Sequence, residues 1–390
     1  MTFEPKLPTI GFLGTYPPTS CGLATFTHAL RNAIADERGF DDGLGVVSVV
    51  DYAEGRSGPK VTYSHLNGDP DSLTKAIDTL NSFDVVVIQH EYGIYGGPDG
   101  SEVLEILEGL HVPSVVTLHT VLSRPTDSQR SILERVVALA EQTIVMSDTA
   151  SQRLIENYDV DPARIATVPH GARISLSGPS LAFGHRPVFL TWGLIGPGKG
   201  LETAIDAFAA LKEVEPLPRY IILGKTHPKV QATSGDAYLN GLQARVEELG
   251  LQDVVEFDGR YLDIDALTLA VRSADVVVLP YESTEQVTSG VLVEAIGAGK
   301  PVIASAFPHA VELLRGGAGI VVPHSDPAAL SAALRRVLED PDLAAAMADR
   351  AREIGSTLYW PVVGRQYQEI TNSLVARHRQ ELQVGLARVG

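Results

Sequence analysis

The chain has 390 residues, 44% of them hydrophobic and 20% charged, which excludes a disordered or fibrous protein and suggests two or three domains. Its formal charge of −17 excludes non-specific nucleic-acid binding, which needs a basic face. A single cysteine, Cys21, excludes an intrachain disulfide and a cysteine-rich zinc module, and fits a reducing compartment.

In chain order, short apolar runs alternate with longer amphipathic stretches. The runs lie at 9–14, 44–50, 84–88, 114–118, 142–146 and 165–169, and helical patterns lie at 24–35, 128–140 and 148–157. Strands alternating with helices of this length predict βαβ units, and unbroken apolar strands predict a parallel sheet covered on both faces. The Gly- and Ser-rich stretch GARISLSGPSLAFGHR then breaks the pattern and reads as a linker. A second series follows, with strands at 188–192, 219–223, 254–257, 276–280, 302–304 and 319–322 and helices at 201–213, 236–249, 289–297 and 327–339. Two more helical patterns, at 343–354 and 362–384, close the chain. No apolar run reaches the roughly 18 residues of a membrane span, and the start of the chain lacks the basic and apolar segments of a signal peptide. A cytoplasmic protein is expected; peripheral membrane contact is left open.

The fold class expected is α/β, with two Rossmann-like, doubly wound parallel-sheet domains facing a central cleft. Ligands in such sheets bind beyond the carboxyl ends of the strands, so the chemistry is sought in the loops there.

The loop GLIGPGKG at 193–200 follows a strand and opens a helix. It nearly matches a P-loop, but Gly200 stands where the magnesium-binding Ser or Thr would be. Lys199 reads either as a solvated turn residue or as a cation beside free helix amides, where phosphate is favoured; the second reading is preferred. The stretch YESTEQVTSGVLVE at 281–294 reads as a helix start at Ser289 and Gly290, a second anion site, with Glu294 one turn further on. From spacing alone Glu294 reads as a surface residue. The first loop, TYPPTSCGLATF, carries Gly22, where backbone can approach a ligand closely. No G-x-G-x-x-G, H-E-x-x-H or G-x-S-x-G occurs, so nicotinamide or flavin binding, zinc proteolysis and α/β-hydrolase chemistry have no support. His90 and His119 stand at strand ends, whereas His170, beside Gly171, reads as turn punctuation. Four D-x-D pairs, at 69/71, 159/161, 263/265 and 340/342, precede helical patterns and read as caps rather than metal ligands.

Taken together these motifs resemble retaining GT-B-fold glycosyltransferases of family 4. The resemblance covers essentially the whole chain, through TYPPTSCGLATF, QHEYGIYGG (89–97), TLHT (117–120), GLIGPGKG, GKTHP (224–228) and, most specifically, PYESTEQVTSGVLVEAIGAGKPVIAS (280–305). It implies transfer of a glucose- or mannose-type sugar from a UDP- or GDP-sugar to an unidentified small-molecule or glycan acceptor, with no further cofactor or metal. It implies a nucleotide-sugar domain at 187–358, a linker at 173–186, and an acceptor-side domain at 1–172 completed by 359–390. Lys199 and the Ser289–Gly290 amides would hold the donor diphosphate, approached by Gly22. Glu294 would bind the ribose, and His119 would lie at the reaction centre. His90, Glu91 and Tyr92 would face the acceptor.

Two positions depart from the family. Gln286 replaces the first Glu of its E-x₇-E pattern, and as an amide it keeps a positioning role beside the reacting sugar. Leu194 stands where many relatives carry a phosphate-binding Arg. The alternatives carried are a nucleotide-sugar epimerase on the same fold and a catalytically degenerate sugar-nucleotide-binding protein.

Overall fold

The computed structural model describes residues 7–52, 58, 60–174, 186–260 and 262–389. Most of the linker stretch, 175–185, lies outside the described residues. The chain divides into two compact units. The first is the part up to Gly171 together with the part from Trp360 onward, and the second is Ala172–Tyr359.

In the first unit the strands are β1 (Ile10–Gly14), β2 (Leu44–Val50), β3 (Val61–Leu66), β4 (Val85–His90), β5 (Ser114–Leu118), β6 (Gln142–Val145) and β7 (Ile165–Thr167). All neighbours pair in parallel, in the order β3-β2-β1-β4-β5-β6-β7. Helices α1 (Gly22–Arg38), α2 (Pro70–Leu80), α3 (Glu102–Gly109), α4 (Asp127–Leu139) and α5 (Asp148–Asn157) supply the crossovers. Strands β1, β4 and β5 are buried at every residue, as their apolar runs require.

In the second unit the strands are β8 (Val188–Trp192), β9 (Arg219–Leu223), β10 (Val255–Asp258), β11 (Val276–Leu279), β12 (Val302–Ser305) and β13 (Gly319–Val322). Their order, β10-β9-β8-β11-β12-β13, repeats that of the first unit. Helices α6 (Leu201–Ala209), α7 (Pro228–Ser234), α8 (Ala237–Glu248), α9 (Ile264–Ser273), α10 (Gly290–Gly297), α11 (Pro308–Leu314), α12 (Pro327–Glu339) and α13 (Pro341–Leu358) connect and follow them. One apolar cluster fills each face of this sheet. The two-domain Rossmann-like architecture is thus present.

Helix α14 (Trp360–Val389) belongs to the first unit. Trp360, Val363, Tyr367, Leu374 and Val375 join Phe26, Leu30 and Ala33 of α1 in one core. Gly364 lets the two helices close up, since a Cβ there would lie 2.9 Å from that of Ala33. The Tyr367 hydroxyl reaches Thr117 Oγ1 at 2.9 Å, which ties the helix to β5.

The acidic pairs do cap helices: Asp69, Asp263 and Asp340 accept the amides of Ser72, Ala266 and Leu343, and Asp161 accepts that of Ala163. Helix α6 ends at Ala209 rather than 213, because the chain turns where Leu211 drops into the core. Among the described residues no helix is long and apolar enough to cross a membrane.

Candidate active site

Each sheet has a topological switch point, where the strand order reverses: between β1 and β4 in the first unit and between β8 and β11 in the second. The loops at these two points carry the candidate residues except His119, which follows the neighbouring strand β5.

In the second unit the 193–200 loop leaves β8 and is fixed on both sides by backbone. The Ile195 N–H donates to Lys225 O at 2.9 Å and the His227 N–H donates to Ile195 O at 2.8 Å, so the GKTHP segment runs alongside it. The Glu282 N–H donates to Gly198 O at 3.0 Å. Gly200 has φ +64°, and a Cβ there would lie 1.8 Å from Pro280 O. A Ser or Thr is therefore barred from this position, and the P-loop reading fails for a steric reason.

Lys199 is partly buried, with its ammonium 4.6 Å from the centre of the Tyr281 ring. Burial lowers its pKa, and it forms no ion pair with a described residue. The Tyr281 hydroxyl in turn bonds to the side chain of Ser289. Tyr281 itself is 2% exposed, and its carbonyl accepts from Ser305 Oγ and from His324 Nδ1 at 2.9 Å. Lys199 thus stands one side chain from the start of α10.

At that start the amides are distributed unevenly. The Ser289 N–H donates to His309 Nδ1 at 2.8 Å, the Leu292 N–H to Ser289 Oγ at 3.3 Å and the Val293 N–H to Ser289 O at 3.1 Å. The amide of Ser289 is therefore already used, and the amides left without a described partner are those of Gly290 and Val291. Gln286 lends its carbonyl to the His309 N–H at 3.2 Å, while its side-chain amide bonds to no described residue. Glu294 is not the free surface carboxylate that spacing suggests. It pairs with Arg173, Nε to Oε1 at 3.3 Å, and accepts the Arg173 N–H at 3.3 Å. Burial raises its pKa and Arg173 opposes that shift. The pair borders a small cavity with Trp192, Leu267 and Thr268.

In the first unit the strand ends carry imidazoles. His119 follows β5, and its Nε2–H donates to Gln89 Oε1 at 2.8 Å, which leaves Nδ1 as the acceptor. Burial, then His170 and His90, lower its pKa to about 3. His170 is more than turn punctuation. Its ring lies 5.0 Å from Phe26 and 5.8 Å from Trp360, and burial lowers its pKa to about 4. Phe26 also meets His119 edge-on at 4.8 Å.

His90 was expected at the acceptor surface but is 1% exposed, with both ring nitrogens buried and without a partner among the described residues. Burial lowers its pKa to about 4, and its ring stands edge-on to Tyr92 at 5.2 Å. The partly exposed neighbours Glu91 and Tyr92 lie in front of it. Glu91 accepts Thr120 Oγ1–H at 2.5 Å and the Tyr92 N–H at 3.0 Å, and burial raises its pKa. The Tyr92 hydroxyl donates to Gln129 O at 3.3 Å. Gly22 opens α1 with nothing within 4 Å of a Cβ placed there.

Sequence reading missed Tyr281, His309, His324 and His170. The first three act across strands, through contacts 20 or more residues apart, such as that of Ser289 with His309. Among the described residues no group of three or more His, Cys, Asp or Glu side chains could hold a metal ion.

Comparison with known proteins agrees across both units. Residues 25–176 match the family model described as Glycosyltransferase Family 4, and residues 175–354 match Glycosyl transferases group 1. The D-inositol 3-phosphate glycosyltransferase of Corynebacterium glutamicum (strain R) is 28% identical over 294 residues, 68% of this chain and 68% of that protein. The same enzyme of Kineococcus radiotolerans is 28% identical over 66% of each chain. Among solved structures, sucrose-phosphate synthase from Thermosynechococcus elongatus superposes with a TM-score of 0.76 at 19% identity, covering 95% of this chain and 100% of that one. Anabaena HepE in complex with UDP gives 0.74 at 21% identity, covering 94% and 100%.

Proposed function

We propose that this chain, which is a glycosyltransferase, moves a glucose- or mannose-type sugar from a UDP- or GDP-sugar to an acceptor hydroxyl with retention of configuration. The observation that carries the reading is Lys199. A partly buried ammonium with an aromatic face for its neighbour and no carboxylate is incompletely compensated, and an anion beside it relieves that cost. The unpaired amides of Gly290 and Val291 at the next element offer donors of the same sign.

In this reading the donor diphosphate lies against Lys199 and the start of α10, with Ser289 setting the helix end; Gly22 keeps the donor-binding role that the family resemblance gives it. Glu294 takes the ribose hydroxyls, sharing or exchanging its contact with Arg173. As the sugar–phosphate bond breaks, charge gathers on the phosphate oxygens, and the fixed lysine and amides stabilise it. His119 is neutral at physiological pH, so it acts as a hydrogen-bond acceptor through Nδ1 for a sugar hydroxyl, not as an acid. Gln286 orients a second hydroxyl with its unengaged amide. No carboxylate is assigned as nucleophile; the leaving phosphate takes the acceptor's proton on the face it departs from, which retains configuration.

The relatives are named for D-inositol 3-phosphate. The acceptor-side residues here, Glu91 and Tyr92 with His90 behind them, bring a carboxylate and no permanent cation. A neutral polyol or glycan hydroxyl suits them better than a phosphorylated one.

The test is thermal stability of the purified chain with a panel of nucleotides and nucleotide-sugars, with and without Mg²⁺. A ligand at 100 times its Kd adds about 2.7 kcal/mol to the folded state. Stabilisation by one nucleoside diphosphate, independent of metal, supports the reading and selects the donor. No response to any of them overturns it in favour of a degenerate protein whose donor site lapsed with Leu194 and Gln286. Isomerised donor in the absence of acceptor would favour an epimerase.

A further inference from the structure

His309 is 3% exposed at the second position of α11. It grips the segment before α10 at two points. Its backbone N–H donates to Gln286 O at 3.2 Å, and its ring Nδ1 accepts the Ser289 N–H at 2.8 Å. The span between the two points is the whole turn that leads into α10. Because Nδ1 accepts, this nitrogen carries no proton.

We infer that His309 is a positioning residue for the donor diphosphate: by fixing Gln286 and consuming the Ser289 amide it aims the two remaining amides, those of Gly290 and Val291, at the phosphates. This rests on the donor reading above. The alternative use of the Ser289 N–H, as a third phosphate donor, is closed by the imidazole. Without the ring, that amide is buried and unpaired, and the turn from 286 to 289 loses the side-chain anchor that His309 gives it. The segment then has reason to rotate until the amide finds a partner, which takes the Gly290 and Val291 N–H groups off their line. Lys199 rests on the Tyr281 ring, whose hydroxyl reaches the Ser289 side chain but whose carbonyl is tied to Ser305 and His324, so the loss falls first on the amides.

The geometry makes the acceptor atom identifiable. Asn carries a side-chain oxygen where His carries Nδ1, Gln carries one near Nε2, and Leu carries none. The experiment measures binding of UDP, GDP, uridine and guanosine by calorimetry to the wild-type chain and to His309→Leu, His309→Asn and His309→Gln, with thermal melts of each. The expected result is that His309→Leu weakens the bound diphosphate tenfold or more and the matching nucleoside less than threefold, while His309→Asn stays within threefold for both. Equal diphosphate affinity in wild type and His309→Leu overturns the inference and leaves the donor reading standing. So does an Asn chain as impaired as the Leu chain. If His309→Leu does not fold, Asn against Gln decides: Asn better than Gln supports the assignment, and equal affinities overturn it. A wild-type chain that binds neither diphosphate overturns the donor reading and this inference together.

Discussion

The two switch points are built on the same strand order and carry opposite chemistry. At the ends of β4 and β5 and after β7 stand three imidazoles held neutral, with the partly exposed Glu91 and an aromatic wall of Phe26 and Trp360. Beyond β8 and β11 stand a lysine on a tyrosine ring and two helix amides without described partners. One end is lined by neutral imidazoles and one carboxyl group and has no lysine among the described residues, suited to reading hydroxyls. The other is positive and rigid, suited to phosphate. The fold supplies the place; what is done there depends on which side chains end the strands.

Acid should expose this difference most strongly. An unfolded imidazole takes a proton near pH 6.5, whereas His90 and His170 resist it to about 4 and His119 to about 3. Between those values the unfolded chain binds more protons. Stability is therefore full above pH 6.5 and declines as pH falls toward 4, by on the order of 3 kcal/mol per ring. Thermal melts across this range measure the slope, and His90→Leu should remove part of it. Since His90 leaves both ring nitrogens without a described partner, that substitution should cost little at pH 7. An unchanged slope would mean the acid-sensitive groups lie elsewhere.

Next in size is Gly200→Ser, which restores the P-loop letter. The Cβ contact with Pro280 O and the positive φ should destabilise the chain by about 2 kcal/mol or more, with no gain in Mg²⁺ binding. A stable, magnesium-binding variant would remove the steric account. Lys199→Ala should lower turnover at least tenfold, roughly 1.4 kcal/mol, and weaken nucleoside diphosphate binding without altering the acid slope. Normal turnover in folded protein would take Lys199 out of the site. The smallest effect expected is that of Thr120→Val, which removes the hydroxyl on Glu91 and should raise acceptor KM by about 1 kcal/mol or less with donor KM unchanged. A donor effect instead would break the division of labour between the units.

The buried parallel strands were legible because they read as continuous apolar runs. The edge strand β3 escaped because VTYSHL mixes polar residues into a strand only partly buried. Short helices such as α7, with seven residues and no buried side chain, leave no periodic trace. At the candidate site, Lys199 could be found because a glycine-rich loop marks it. Ser289 was recognised as a helix start, but sequence could not show that its amide is taken, since the acceptor lies 20 residues on and arrives through the sheet. His170 was underrated for the same reason: Phe26 and Trp360, which enclose it, are far away in the chain.

The return of α14 to the first unit also orders events during synthesis. The second unit is one uninterrupted stretch and can close its core once Tyr359 has left the ribosome. The first unit waits with the α1 side of its sheet uncovered, Phe26 and Leu30 without Trp360 and Tyr367, until the last helix emerges. The half of the molecule translated first is thus the half that finishes folding last, and its apolar α1 groove is the surface a nascent chain has to shield in the meantime.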